Sequence, residues 1–282
     1  MARSTDISPL SQVLARADAV ADGSRPPDTI PTGFQSLDRM LGGGVRGGDL
    51  IVLGGDVGSG KSALALAVAM RVAQTKATVT FFSGEMGTDR LLERTLAIEG
   101  RVKVDDLRAG VVNDTARASV GAAAVRMREV LPHFQVIPDT GLSGLSEAIE
   151  ATRPVVAVVD SLQSLARGSR PIDEELADAV RRLKALAVQT KVAILATAEL
   201  PHLAARDDRR PQIDDIGAMG AVKHHADVVL ALFREDMYDR RREIEGATEL
   251  LVRKNRNGST WYVDLYFYAQ WMRFEDMLDP DR

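Results

Sequence analysis

Gly55-Asp56-Val57-Gly58-Ser59-Gly60-Lys61-Ser62 constrains this chain more than any other stretch. It fits G-x-x-x-x-G-K-[ST], a glycine-rich turn whose backbone N–H groups wrap around phosphate oxygens. The turn lies between an apolar segment, residues 50–53, and a second apolar stretch, Lys61–Gln74. A strand feeding a phosphate turn that then opens a helix is the building unit of an open α/β sheet. Gly55, Gly58, Ser59 and Gly60 form the expected cradle, and the following helix points its positive end at the same anion. Lys61 is placed to reach the β- and γ-phosphates of a nucleotide. The Ser62 hydroxyl is placed to bind Mg²⁺, so the expected ligand pair is ATP with Mg²⁺.

The rest of the chain repeats the same alternation. Short apolar segments at 50–53, 78–82, 135–137, 155–159, 192–196 and 228–233 read as strands. Helical periodicity lies between them, at 61–74, 91–99, 145–151 and 174–189. The strands are continuous runs of Val, Ile, Leu and Ala with no polar alternation, so they are expected to be buried on both faces of a mostly parallel sheet with flanking helices. The style changes near the end, where residues 249–255 and 260–268 flank Asn257-Gly258, a strong hairpin signal.

In an open α/β sheet, ligands bind just beyond the carboxyl ends of the strands. That rule selects three carboxylates. Asp160 ends an apolar strand downstream of the phosphate turn and is the expected second metal-holding group. Glu85, in Ser83-Gly84-Glu85, is a candidate base for an attacking water; the competing reading is a charge at the start of the helix that begins near Thr88. Glu199 follows the 192–196 strand and is a pocket residue without an assigned role, because a carboxylate facing a phosphate is repulsive unless a cation intervenes.

Two flanking features have a bland and a sharp reading. Leu10, Val13, Leu14, Ala17 and Val20 recur at three- and four-residue steps, so residues 8–21 read as an amphipathic helix capped by Ser8 and followed by the breaker-rich linker Asp22-Gly-Ser-Arg-Pro-Pro. Its apolar face either folds back on its own domain or docks on a neighbouring subunit. Lys254 and Arg256 lie two apart beside the hairpin turn and share a side. They are either solvated turn charges or cations that reach a phosphate in a neighbour's site, as an arginine finger does.

Composition removes other classes. There is no Cys, which excludes disulfides and Cys-based metal sites. Lys and Arg total 36 against 40 Asp and Glu, a net charge of −4 that speaks against a wholly basic surface yet leaves room for a local basic lining. The apolar run from Ala63 to Met70 is far short of the roughly 20 residues of a membrane span, and the first ten residues have no apolar signal core, so no membrane association and a cytoplasmic location are expected.

Read together, the motifs resemble the RecA-like motor domain of DnaB-type replicative helicases. The resemblance is carried by Pro31-Thr-Gly-Phe-Gln-Ser-Leu-Asp38 with Gly47-Gly-Asp-Leu-Ile51, Phe82-Ser-Gly-Glu-Met86, Val158-Val-Asp-Ser-Leu-Gln163, Ala226-Asp-Val-Val229, Lys254-Asn-Arg-Asn-Gly258 and Gln270-Trp-Met-Arg-Phe274. It covers about residues 28–275 and divides the chain into a linker helix and linker (1–27) and a RecA-like ATPase domain (28–282). It implies a homo-oligomeric ring, usually a hexamer, with ATP at each subunit boundary. Lys61, Ser62, Asp160 and Glu85 carry over as groups of one subunit, and Lys254 and Arg256 as fingers from its neighbour. Arg94 carries over as an Arg near the nucleotide base, and residues 8–21 as the helix that docks on the adjacent subunit.

Three departures stand out. The family's N-terminal collar is expected to be absent, with only the linker helix remaining. Its sensor Gln is Glu199 here. Its DNA-contacting loop normally carries Arg and Glu before a Gly, whereas this chain reads Asp215-Ile-Gly-Ala-Met-Gly220, with Gly217 and Ala218 at those positions. The first functional expectation, from the resemblance as a whole, is an ATP-hydrolysing ring that translocates on single-stranded DNA, with Arg167, Arg170, Arg206, Arg209 and Arg210 as candidate channel cations. The second is a helicase paralogue or RecA-like regulatory ring that keeps hydrolysis and acts on a protein partner. A non-catalytic nucleotide-binding module is the weakest reading, since Lys61, Ser62, Glu85 and Asp160 are all present.

Overall fold

The computed structural model describes residues 8–138, 140–200, 206–239 and 244–277. In chain order the elements are α1 Pro9–Ala21, β1 Thr29–Ile30, α2 Gln35–Met40, β2 Val45–Arg46, β3 Leu50–Gly55, α3 Lys61–Gln74, β4 Val79–Ser83, α4 Thr88–Gly100, α5 Val104–Ala109, α6 Asp114–Val130 and β5 Phe134–Pro138. They continue with α7 Gly141–Thr152, β6 Val156–Asp160, α8 Ile172–Thr190, β7 Ala193–Glu199, α9 Ala221–His225, β8 Val228–Phe233, β9 Ala247–Asn255, β10 Tyr262–Tyr268 and β11 Arg273–Asp276.

Nine strands form one sheet in the order β11-β10-β9-β8-β3-β7-β6-β4-β5. From β8 to β5 every pairing is parallel, and β9, β10 and β11 add antiparallel at the β8 edge. The apolar runs are buried on both faces, as their composition requires. Ile51, Leu53, Val156 and Val158 join a core with Phe34, Leu64, Leu91 and Met127 from α3, α4, α6 and the segment around α2. Their alternates Leu50, Val52, Ala157 and Val159 join a second core with Leu145, Leu176, Leu183 and Val222 from α7, α8 and α9. The period of two that sorts strand side chains is hidden in the sequence only because both destinations are apolar.

The predicted hairpin is present, and β11 extends it to three strands. The long helix α6 escaped the periodicity argument. It is Ala-rich and buries only Ala123, Met127 and Val130, so its apolar stripe is thin. Trp261 is 59% exposed and stacks on Tyr262. Trp271 is partly buried and stacks on Tyr268.

Helix α1 forms where the spacing put it, with the Ser8 hydroxyl accepting from the Ser11 N–H and Pro9 in the first turn. None of its residues is buried, and Leu10, Val13 and Leu14 stand open to solvent. The folded-back reading therefore fails: its apolar face is uncovered within the single chain. Arg16 and Arg25 both pair with Asp28, which ties the helix to its linker and not to the core.

One buried carboxylate locks the amino ends of the central strands. Asp227, just before β8, accepts from the Leu50 N–H of β3 and from Lys184 Nζ of α8, and lies 3.4 Å from Arg256. Removing it would leave the Lys184 ammonium without its counter-charge and a strand N–H unpaired away from water. Asp227→Ala is expected to cost about 3 kcal/mol in chemical denaturation; a loss below about 1 kcal/mol would contradict this role.

Candidate functional site

The phosphate turn is built as its residue types require. Gly58 and Gly60 have φ of +80° and +104°, and a Cβ at Gly60 would sit 2.7 Å from the Phe274 ring. Only glycine suits that position, which caps α3 and releases its first N–H groups toward the cleft. Lys61 opens α3, is nearly buried, and donates to the Asp56 carbonyl at 3.0 Å. Burial pushes its ammonium below the usual lysine range, while the pull of Glu199, Asp160, Asp56 and Glu85 opposes that shift. The Ser59 hydroxyl is buried without a hydrogen-bond partner in the turn.

The strand-end carboxylates meet this turn. Asp160, at the end of β6, is buried and accepts from Ser62 Oγ at 3.1 Å and from Thr197 Oγ1 of β7 at 2.6 Å. Glu85 follows β4 and accepts from Ser161 Oγ at 2.6 Å. Helix α4 starts at Thr88 with Gly87 as its cap, so Glu85 is committed to the cleft through Ser161. These groups line a cleft of about 580 Å³ together with Arg94, Thr197, Glu199, Arg234 and Phe267, a volume suited to a small organic ligand. Among the described residues no group of three or more His, Cys, Asp or Glu side chains could cage a metal. A lone hydroxyl–carboxylate pair fits Mg²⁺, which keeps waters and completes its shell with substrate phosphate.

Arg234 is the charged lining residue that the sequence reading missed. Its guanidinium stacks over Phe267, pairs with Asp236, and reaches the Gly58 carbonyl at 3.4 Å. It lies directly after β8, so the strand-end rule could have found it had it been applied to cations as well as carboxylates. Arg94 lines the same cleft, and its charge acts on Asp160.

Lys254 and Arg256 are far from this cleft. In β9, Asn255 pairs with Val228 at the start of β8, and Val228 pairs with Ile51 near the start of β3. The phosphate turn follows Gly55 at the other end of β3, on the order of 13 Å of strand away. The two cations are also not waving at a free tip. Lys254 Nζ donates to the carbonyls of Lys223 and Ala226, and Arg256 donates to the carbonyl of His224. The end of α9, through the carbonyls of Lys223, His224 and Ala226, is thus their platform, where helix carbonyls favour cations.

A model of the DnaB-like helicase C terminal domain matches residues 29–276. The chain belongs to that family. It is 32% identical over 260 residues to the replicative DNA helicase DnaC of Bacillus subtilis (strain 168), covering 88% of this chain and 56% of the relative. It is 30% identical over 257 residues to the replicative DNA helicase DnaB of Geobacillus stearothermophilus, again with 88% and 56% covered. The chain therefore spans little more than half the length of these relatives. Among solved structures, one described as an ATPase domain superposes with a TM-score of 0.88 at 22% identity, covering 97% of this chain and all of that one. A DnaB-like replicative helicase, described with its interactions with primase, gives 0.84 at 21% identity and covers 96% of this chain and 67% of that one. Both support the fold. Helix α1 precedes the matched region.

The candidate DnaB-like channel cations are tied to groups of this chain. Arg206 holds Asp215 through both terminal nitrogens, Arg210 grips Glu249 at 2.6 and 2.7 Å, and Arg209 lies over the Tyr238 ring. Arg170 pairs with Glu175, and Arg167 donates to the Ser164 carbonyl. In the altered loop, Gly217, Ala218, Met219 and Gly220 all have positive φ, with Met219 exposed and the Ala218 N–H held by Asp173. Among the described residues, no helix is long and apolar enough to cross a membrane.

Burial pushes the Asp160 carboxyl above the usual range, outweighing the hydroxyls of Thr197 and Ser62 that favour its ionised form. A carboxyl held above its unfolded value destabilises the fold while ionised, and the penalty fades as pH falls through the raised value. Asp160→Asn, which keeps an acceptor for both hydroxyls, is expected to raise the melting temperature of the nucleotide-free protein at pH 7.5. The gain is about 1 kcal/mol, roughly 2–4 °C, and shrinks in acid. A lower melting temperature would contradict it.

Proposed function

We propose that this chain is the motor unit of a ring-forming ATPase of the helicase type, hydrolysing ATP where two subunits meet and moving along single-stranded DNA. The observation that carries the reading is the pairing of a complete phosphate cleft with two fixed cations at the opposite end of the same sheet. Those cations lie too far from their own cleft to act in it. A head-to-tail arrangement of copies brings one subunit's cations to the next subunit's cleft, and closure by rotation makes a ring, most simply a hexamer.

In this reading the Gly55, Gly58, Ser59 and Gly60 backbone cradles the nucleotide phosphates and Lys61 spans the β- and γ-groups. Ser62 and Asp160 would hold Mg²⁺, which supplies charge neutralisation between those phosphates. Glu85 orients the attacking water and accepts its proton. Arg94 and Arg234 flank the nucleotide. Lys254 and Arg256 stabilise the charge that develops on the transferred group in the neighbouring subunit. Residues 1–27 act as a docking element and 28–282 as the motor. The open face of α1 supports that division, since Leu10, Val13 and Leu14 need a partner outside their own domain.

The DNA role rests on Arg167, Arg170, Arg206, Arg209 and Arg210, each of which must trade a contact within the chain for a phosphate. Phosphate release per subunit is expected to rise with protein concentration and by several-fold with single-stranded DNA, and to fall at least 100-fold in Lys61→Ala. A rate that climbs with concentration and ignores DNA would replace the DNA role with a protein partner, as Gly217 and Ala218 in the altered loop already favour. A rate independent of concentration would remove the shared site.

A further inference from the structure

Glu199 gives this cleft a property of its own. It ends β7 and pairs in register with Gly55, the first residue of the phosphate turn. Thr197, two residues earlier on the same strand, points into the cleft and donates to Asp160. Glu199 shares that face, because strand side chains alternate with a period of two. Its backbone is gripped from both directions by the Gln163 side chain, at 3.2 Å through the N–H and 3.4 Å through the carbonyl. The carboxylate is therefore delivered to one place by two neighbouring elements.

Of the carboxylates acting on Lys61, Glu199 exerts the strongest pull, ahead of Asp160, Asp56 and Glu85. The cleft lining is also charge-balanced before any ligand arrives: Lys61, Arg94 and Arg234 stand against Glu85, Asp160 and Glu199. Of these cations Arg234 is already paired with Asp236. A nucleoside diphosphate needs only the glycine turn and part of the Lys61 field. A triphosphate adds a further anionic group beyond it, toward the end of the sheet where Asp160, Glu85 and Glu199 converge, and in a half-buried cleft that repulsion is weakly screened.

We propose that Glu199 is a specificity-determining residue that ranks nucleoside diphosphate above triphosphate in this cleft, by competing with the γ-phosphate for Lys61. The inference rests on the nucleotide-binding reading above and deepens it. The consequence is a subunit that holds its product and takes up triphosphate weakly unless a further cation reaches the cleft.

The test is equilibrium titration of the full chain with a fluorescent ADP and a fluorescent non-hydrolysable ATP analogue, each with Mg²⁺ and with chelator. The ratio of the two dissociation constants is the readout. In Glu199→Gln, which keeps the size and the backbone grip, the analogue is expected to tighten about 10-fold while ADP changes less than about 2-fold. The effect is expected to be larger in chelator, and Glu199→Asp, which keeps the charge, to stay near the wild-type ratio. An unchanged ratio, or equal tightening of both nucleotides, overturns the proposal while leaving the nucleotide cleft intact. Weaker analogue binding in Glu199→Gln only with Mg²⁺ also overturns it and makes Glu199 a metal-side group. Wild-type protein that binds neither nucleotide overturns this inference and the cleft reading together.

Discussion

The polarity of a parallel sheet is the constraint on which the rest depends. Six strands run the same way, so their carboxyl ends converge on one edge and their amino ends on the other. The lining of the cleft collects at the first edge: the turn after β3, Asp160 and Glu199 at the ends of β6 and β7, Glu85 beyond β4 and Arg234 directly after β8. The antiparallel strand β9 then carries the chain back to the second edge, where Lys254 and Arg256 rest on the end of α9. One sheet thereby presents an anion nest and a cationic surface on opposite sides. Within one molecule the two cannot meet, and the proposed function rests on their meeting between two.

The same polarity explains where the structure accepts unfavourable terms. Asp160 and Lys61 are both buried and both shifted toward their neutral forms by that burial. Asp227, at the quiet edge, is buried too, yet it is matched by Lys184, Arg256 and a backbone N–H. The contrast separates roles. The carboxylate that locks the fold is satisfied within the chain, and the carboxylate that faces the cleft is left with hydroxyl partners that a metal ion can share.

Much of this was readable from the residues, and the reasons differ by element. The phosphate turn was legible because only glycines and Lys-Ser at that spacing serve it, and the structure adds the Phe274 ring that forbids a side chain at Gly60. The core strands were legible as runs but not as faces, since both faces are apolar and the alternation vanishes. Helix α6 was hidden by its alanines, whose weak hydrophobicity leaves little periodic contrast. Arg234 was hidden because a lone Arg after a strand resembles any surface charge until its stacking on Phe267 and its contact with Gly58 are seen. The cations at 254 and 256 were legible as a pair, but their anchoring on carbonyls of α9 depends on a tertiary contact that no local pattern announces. The placement of α1 was readable only as a choice between two partners, and its exposed face removes one of them.

The central claim, that the cleft of one subunit is completed by the cations of another, is tested most directly by mixing two inactive variants, Lys61→Ala and Arg256→Ala, and measuring phosphate release. Each variant alone should be inactive. Random co-assembly places an intact cleft beside an intact cationic surface at about one boundary in four, so the mixture should recover about a quarter of the wild-type rate. A mixture as inactive as its components, or Arg256→Ala that is fully active alone, would contradict the account.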